Sequence, residues 1–161
     1  MIKILFSSIF FSMIAQVSNA SLPIELKSID ASIRIIGACK EEPIIDEYFS
    51  GLPSNYTVGD LTIFFLKKNS VPYKGSENSI QRIYDLPSEY NELIVISDEE
   101  MLAYGWCYKV NNFVPEEYPN KVTLTNEDEV TWYFAFSHYL KGKWISQCVP
   151  SYTEPRSEFC E

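Results

Sequence analysis

One histidine, four cysteines and twenty-two carboxylates are the side chains with which this chain could do covalent or acid–base chemistry. A nucleophilic triad or a Cys–His pair would have to use His138, which stands beside Tyr139 where the chain reads as a hairpin end. No G-x-S-x-G elbow accompanies it, and no phosphate loop or dinucleotide motif occurs. The acids fall in short runs: Glu41-Glu42, Asp98-Glu99-Glu100, Glu116-Glu117 and Glu127-Asp128-Glu129. They lack the D-x-D-x-D-G spacing of a calcium loop and read as solvated turns and helix starts. A glycosidase-type pair can be drawn among so many acids in any number of ways, so spacing singles none out. Cys39, Cys107, Cys148 and Cys160 form no C-x-x-C pair and lack the histidine partners of a zinc site. No catalytic set, no metal site and no cofactor is expected from these residues. A hydrolase working through carboxylates or His138 is the alternative.

Aromatic residues are the other unusual feature. Trp106, Tyr108, Trp132, Tyr133, Phe134, Phe136, Tyr139 and Trp144 crowd into one C-terminal stretch. A half-exposed aromatic surface stacks on sugars, flat cofactors or partner loops, and burying one such ring contributes about 1.5–3 kcal/mol. Trp106, Trp132 and Phe134 read as the core of a small sheet. Tyr133, Tyr139 and Trp144, which face away or sit at hairpin ends in this reading, are the candidate ligand-binding residues.

The compartment decides what the cysteines do. Lys3, the apolar stretch Ile4 to Val17, and Ser18-Asn19-Ala20 supply the three parts of a secretory signal peptide at 1–20. The apolar stretch is about fourteen residues, short of the roughly twenty that span a bilayer. Residues 21–161 then form a single exported domain, periplasmic or extracellular, with no membrane insertion after cleavage. Losing Lys3 moves the net charge from −9 to −10, which argues against nucleic acid or an anionic membrane as partner. Four cysteines in an exported chain imply two disulfides, with three connectivities open. The preferred pairing is Cys107–Cys148, between two strands, and Cys39–Cys160, tying the tail back. Closing the second, longer loop would contribute roughly 4–5 kcal/mol in the chain-entropy model. Asn55-Tyr56-Thr57 also matches a glycosylation sequon.

The elements that must position these residues read as strands, helix, strands. Residues 24–36 are one or two strands, and 37–56 are irregular. Thr57 caps a helix with Asp60 as capping-box partner and Val58, Leu61, Phe65 and Leu66 as its apolar stripe. Lys67 and Lys68 suit its C-terminal end, and Asn69 ends it. Residues 70–78 are a loop, and 79–86 and 92–96 are strands. Ser97 caps a single helical turn over 98–104, with Glu100 in the capping-box position and Gly105 as its stop. Residues 106–110 form a strand entering the turn-prone pair Asn111-Asn112, 122–124 a short strand, and 126–129 a polar turn. From Val130 to Ser137 the apolar residues alternate with period two, predicting one buried and one wetter face. Lys141-Gly142 then turns into a strand over 143–148. This is an α+β domain, a mixed or antiparallel sheet packed on one main helix.

Gly105-Trp106-Cys107-Tyr108-Lys109-Val110-Asn111, followed by Val130-Thr131-Trp132-Tyr133-Phe134, resembles the signatures of the transcobalamin-like C-terminal domain family. Thr57-Val58-Gly59-Asp60-Leu61 is similar to the start of that family's single helix. The resemblance covers about residues 57–137, and Tyr139–Cys148 looks like an extension found in secreted bacterial members. It implies a β-grasp-like module. The family's usual Asn-Gly turn is Asn111-Asn112 here. Vitamin carriers of the family hold cobalamin between this module and a helical barrel for which this chain has no room, so cobalamin enters by analogy alone. The expected function is an exported binding or interaction module for an unidentified protein or small-molecule ligand. A structural envelope protein without a small ligand is the further alternative.

Overall fold

The computed structural model describes residues 27–88 and 92–160; the expected signal peptide and the start of the first expected strand lie outside them. The first elements are β1 (Ser28–Ile36), β2 (Pro43–Pro53), the helix α1 (Val58–Lys68), β3 (Tyr73–Ser76) and β4 (Ser79–Ile83). They are followed by β5 (Leu93–Ser97), β6 (Glu100–Val110), β7 (Asp128–Leu140) and β8 (Lys143–Pro150), with 3-10 turns at Pro119–Lys121 and Ser151–Thr153. The main sheet runs β2-β1-β7-β6-β5, and β8 pairs with β7 beyond β1; β3 and β4 form a separate hairpin. β1 and β7 are parallel and the other pairs antiparallel, so the sheet is mixed. Packed on one α-helix, it is an α+β arrangement.

The helix starts where the sequence places it. Thr57 accepts from the Asp60 N–H, and the Asp60 carboxylate accepts from the Thr57 N–H, so the capping box is closed. At the other end Asn69 is the C-cap, as expected, and the left-handed residue is the next one, Ser70 (φ 54°), with the Val71 N–H returning to the Leu66 carbonyl. Gly59 is required by a close approach, because a Cβ there would lie 2.2 Å from the Glu77 carbonyl oxygen in the β3–β4 turn. Leu61, Phe65 and Leu66 bury against Ile29, Ile33, Val130 and Trp132 of the sheet.

Four segments differ from expectation. Residues 43–53, read as irregular, form β2: its prolines stand at the ends of an edge strand, where they remove no needed ladder bond. Residues 98–104, read as a helical turn, instead carry the β5–β6 turn and the first half of β6. The Ser97 hydroxyl accepts from the Glu99 N–H, so the apparent cap closes a tight turn. Within 70–78 lies β3, while 122–124 supplies only a bridge, Thr123 to Thr57, beside the helix start. Asn111 and Asn112 do turn the chain as expected, both left-handed (φ 49° and 67°), with Val110 and Phe113 exchanging both backbone hydrogen bonds.

The largest difference is in β7. Its alternation predicts one wet face, yet Thr131, Tyr133 and Ala135 are buried like Val130, Trp132 and Phe134. The reason is its position as the central strand with both faces covered. On the outer face Tyr133 and Ala135 lie under Ile36, Tyr152 and the Cys107–Cys148 bridge. That bridge joins two strands flanking β7, with Cα atoms 5.8 Å apart. A flat sheet would hold such strands about 9.6 Å apart, so β8 curls over β7, helped by the register shift between Phe136 and His138. Ser151, buried, sits where the β7 edge changes partner from β1 to β8 and shares its hydroxyl proton between the Ala38 and Phe134 carbonyls.

Candidate functional site

All four cysteines are in disulfides, Cys39–Cys160 and Cys107–Cys148, the pairing preferred from the sequence. No thiol is therefore available as nucleophile or ligand. Among the described residues no three His, Cys, Asp or Glu side chains cluster as a metal would need. His138 lies on β7, its Nε2 2.9 Å from the Glu100 carboxylate across the β6–β7 ladder.

Many carboxylates have structural partners. Asp60 caps the helix, and Asp128 accepts from the Asn111 amide and from both the N–H and hydroxyl of Thr125. Asp30 accepts from the Gly51 N–H and the Tyr48 hydroxyl, which together hold its carboxyl below the usual range. Glu47 is lowered by Lys68, at the end of the helix, and by Asn69.

The aromatic stretch divides into scaffold and surface. Three rings use their polar atoms to hold other elements to the sheet. The Trp132 indole donates to the Thr62 hydroxyl (2.8 Å), which donates to the Val58 carbonyl inside the helix. The Trp106 indole donates to the Leu86 carbonyl (2.8 Å), and the Tyr108 hydroxyl to the Glu117 carbonyl (2.6 Å). Periodicity places these residues in a strand but says nothing of those partners, which are 9 to 70 positions away in sequence.

Of the candidate ligand-binding residues, Tyr133 is 4% exposed, which removes it from any accessible surface; burial pushes its hydroxyl pKa up. Tyr139 and Trp144 are brought together, ring centroids 5.4 Å apart and nearly edge-on. The register extends this pair into a row. Trp144 pairs with Tyr139, Tyr139 with Met101, and Met101 with Val95, so one outer-face row crosses β8, β7, β6 and β5. Trp144 and Val95 are 45% and 67% exposed. Beside the row, Ala103 and Gly105 offer almost no side chain, and the space a Gly105 Cβ would occupy is open. A shallow depression of about 150 Å³ lies over Val95, Met101 and Tyr139, with Asp98, Glu99 and Glu100 lining it. The surface is thus apolar with an acidic border. Sequence alone does not join Val95 and Met101 to it, because Ser97-x-x-Glu100 matches a helix cap and places Met101 in a helical turn.

A larger cleft, about 240 Å³, opens between the β3–β4 turn, β6 and residues 114–119. Its floor includes Trp106, Tyr108 and Trp132, whose polar atoms are already bonded to the scaffold. Its volume is below the roughly 300–1,000 Å³ of pockets that engulf a small ligand.

No protein-family model matches the chain, and no curated protein matches it. Among the described residues, no helix is long and apolar enough to cross a membrane.

Proposed function

We propose that this chain is an exported binding module that engages its partner through the outer-face row Val95–Met101–Tyr139–Trp144. The single observation that carries the reading is that row: four large apolar side chains aligned across four strands, open to solvent at both ends. Large aromatics left half-exposed beside small residues make a flat contact surface, whereas the remaining rings of the stretch serve the core. Two disulfides fit an exported chain, since such bridges persist in oxidising compartments. The β-grasp-like resemblance is supported by the strand order. A first hairpin, β1–β2, is followed by the helix, and a late central strand, β7, returns parallel to β1. The module in this reading binds without cobalamin.

Fluorescence tests it, because Trp144 is exposed while Trp132 is buried and Trp106 partly so. Titration with glycan oligomers and with extended apolar peptides is expected to blue-shift the emission in one class, and the shift should vanish in Trp144→Phe. A wild-type spectrum unmoved by both classes would defeat the reading.

A further inference from the structure

Among the described residues the sheet ends on three open edges, and they are defended unequally. β2 carries Asp46 and Glu47, prolines at both ends, and register shifts against β1. β8 carries Lys143, two register shifts against β7 and the left-handed Cys148. Charges, prolines and bulges are the devices that stop an edge from pairing with another strand. β5 has none of the side-chain devices: Leu93-Ile94-Val95-Ile96-Ser97 contains no charge and no proline, and its one shift comes after Val95. Leu93, Val95 and Ile96 are all at least half exposed.

Its outward-facing backbone groups can be named. The Tyr104 N–H donates to the Glu92 carbonyl (2.8 Å), so Glu92 and, two residues on, Ile94 bond toward β6. Leu93 and Val95 therefore aim their N–H and C=O groups away from the sheet, and among the described residues no backbone group meets them. The ends of the strand are acidic and exposed, with Glu92 before it and Asp98-Glu99 after it. Two-fold antiparallel pairing of β5 with a second copy, centred on Val95, would set Asp98 against Glu92 at both ends, in a chain already at −9.

We infer that β5 accepts an added strand from a partner: an extended segment, apolar at alternate positions and bearing Lys or Arg at its ends. The inference rests on the binding reading above and sharpens it. A strand hydrogen-bonded to Leu93 and Val95 would place a side chain beside Val95, lengthening the row Val95–Met101–Tyr139–Trp144 by one strand, with its basic ends near the acidic border.

The test uses the whole chain and a synthetic peptide of alternating Val and Thr with lysines at each end. Binding is expected to slow amide hydrogen exchange at Leu93 and Val95. N-methylation of alternate peptide amides should weaken it about tenfold or more, as loss of two backbone hydrogen bonds implies. Replacing the terminal lysines with glutamates should weaken it as well. Val95→Pro deletes an outward N–H on an edge strand, a position that tolerates proline, and should reproduce the N-methyl effect, while Val95→Thr should not. Equal binding of the N-methylated peptide, with loss in Trp144→Ala, would overturn strand addition and leave the face reading standing. No binding of any peptide would also overturn it, and the glycan arm would then decide the face reading. Protection of both amides without peptide, in a concentration-dependent dimer, would assign the edge to a second copy instead.

Discussion

The inner face of the sheet is closed in two different ways along its length. Over Val130 and Trp132 the cover is α1, a regular element whose ends are capped and whose Thr62 hydroxyl takes the Trp132 indole, with Tyr108 beside them tied to the Glu117 carbonyl. Over Phe134, Phe136 and Tyr104 the cover is irregular chain, Leu86 and the C-terminal Phe159 and Cys160, packed with Ala38 and Cys39. Phe159 sits 4.7 Å from the Tyr104 ring and 5.0 Å from that of Phe134. A helix brings local cooperativity to its docking, whereas a short tail must be ordered residue by residue against its conformational entropy. The Cys39–Cys160 bridge offsets that entropy by joining residues 121 apart. One half is closed by secondary structure and the other by a covalent tie.

The sharpest way to break this contrast is to remove the tie. Cys39→Ser with Cys160→Ser is expected to destabilise the fold by roughly 4–5 kcal/mol in the chain-entropy model, measured by chemical denaturation. Before global unfolding, hydrogen exchange should rise first around Phe134, Phe136 and Tyr104 and last in α1. Uniform loosening of both halves would mean the tail is not a separate cover.

The converse experiment attacks the helix-covered half. Trp132→Ala removes one of the largest fully buried side chains and leaves the Thr62 hydroxyl without its indole partner. The expected loss is about 3–5 kcal/mol, with the bridge still formed and Phe159 still packed. Trp132→Phe, which keeps most of the ring volume, should recover most of that loss. Equal losses for the two variants would assign the effect to the hydrogen bond rather than to the cavity.

The two halves also differ in how readable they are. The helix over 58–68 was legible because its signals are local: a cap, a box partner three residues on, and apolar residues at helical spacing. That the four cysteines form two disulfides was legible for a coarser reason, an even count beyond an expected signal peptide, whereas the choice among three connectivities rests on placing Cys107 and Cys148 on strands and Cys160 in a tail. β2 was not, since an edge strand tolerates the Pro, Gly and Ser that mark loops elsewhere. The first half of β6 was misread because Ser97-x-x-Glu100 fits a helix cap and a strand turn equally well until the partner strand is known. Tyr133 was misplaced because two-fold alternation reports a wet face only where nothing covers it, and the cover here comes from Tyr152 and from Cys148, fifteen residues further on. Tyr139 and Trp144 were legible as hairpin-end residues either side of Lys141-Gly142, and the two-residue turn is what sets them opposite each other. Val95 and Met101 were not, because joining them to that pair needs the register of three ladders.

The smallest effect concerns the two tyrosines that mark the halves. Burial raises the hydroxyl pKa of Tyr108, beside Trp132 in the half that the helix closes, with the nearby Glu117 carboxylate adding to it. Burial also raises that of Tyr104 under the tail, although Arg156 works against it. A phenol whose folded-state pKa lies above the unfolded value of about 10 keeps its proton in the fold after the unfolded chain has lost it. The stability it contributes is therefore complete below about pH 10 and is lost as pH rises through the folded-state pKa. Absorbance at the phenolate band should accordingly show late, cooperative ionisation of both residues in the bridged protein. With Cys39–Cys160 removed, Tyr104 should ionise near the ordinary value while Tyr108, still hydrogen-bonded to the Glu117 carbonyl, stays late. The two are separable by Tyr104→Phe and Tyr108→Phe. If both move together when the bridge is cut, the covers are one cooperative unit and the distinction between helix and tie applies only to how each half is built, not to how it opens.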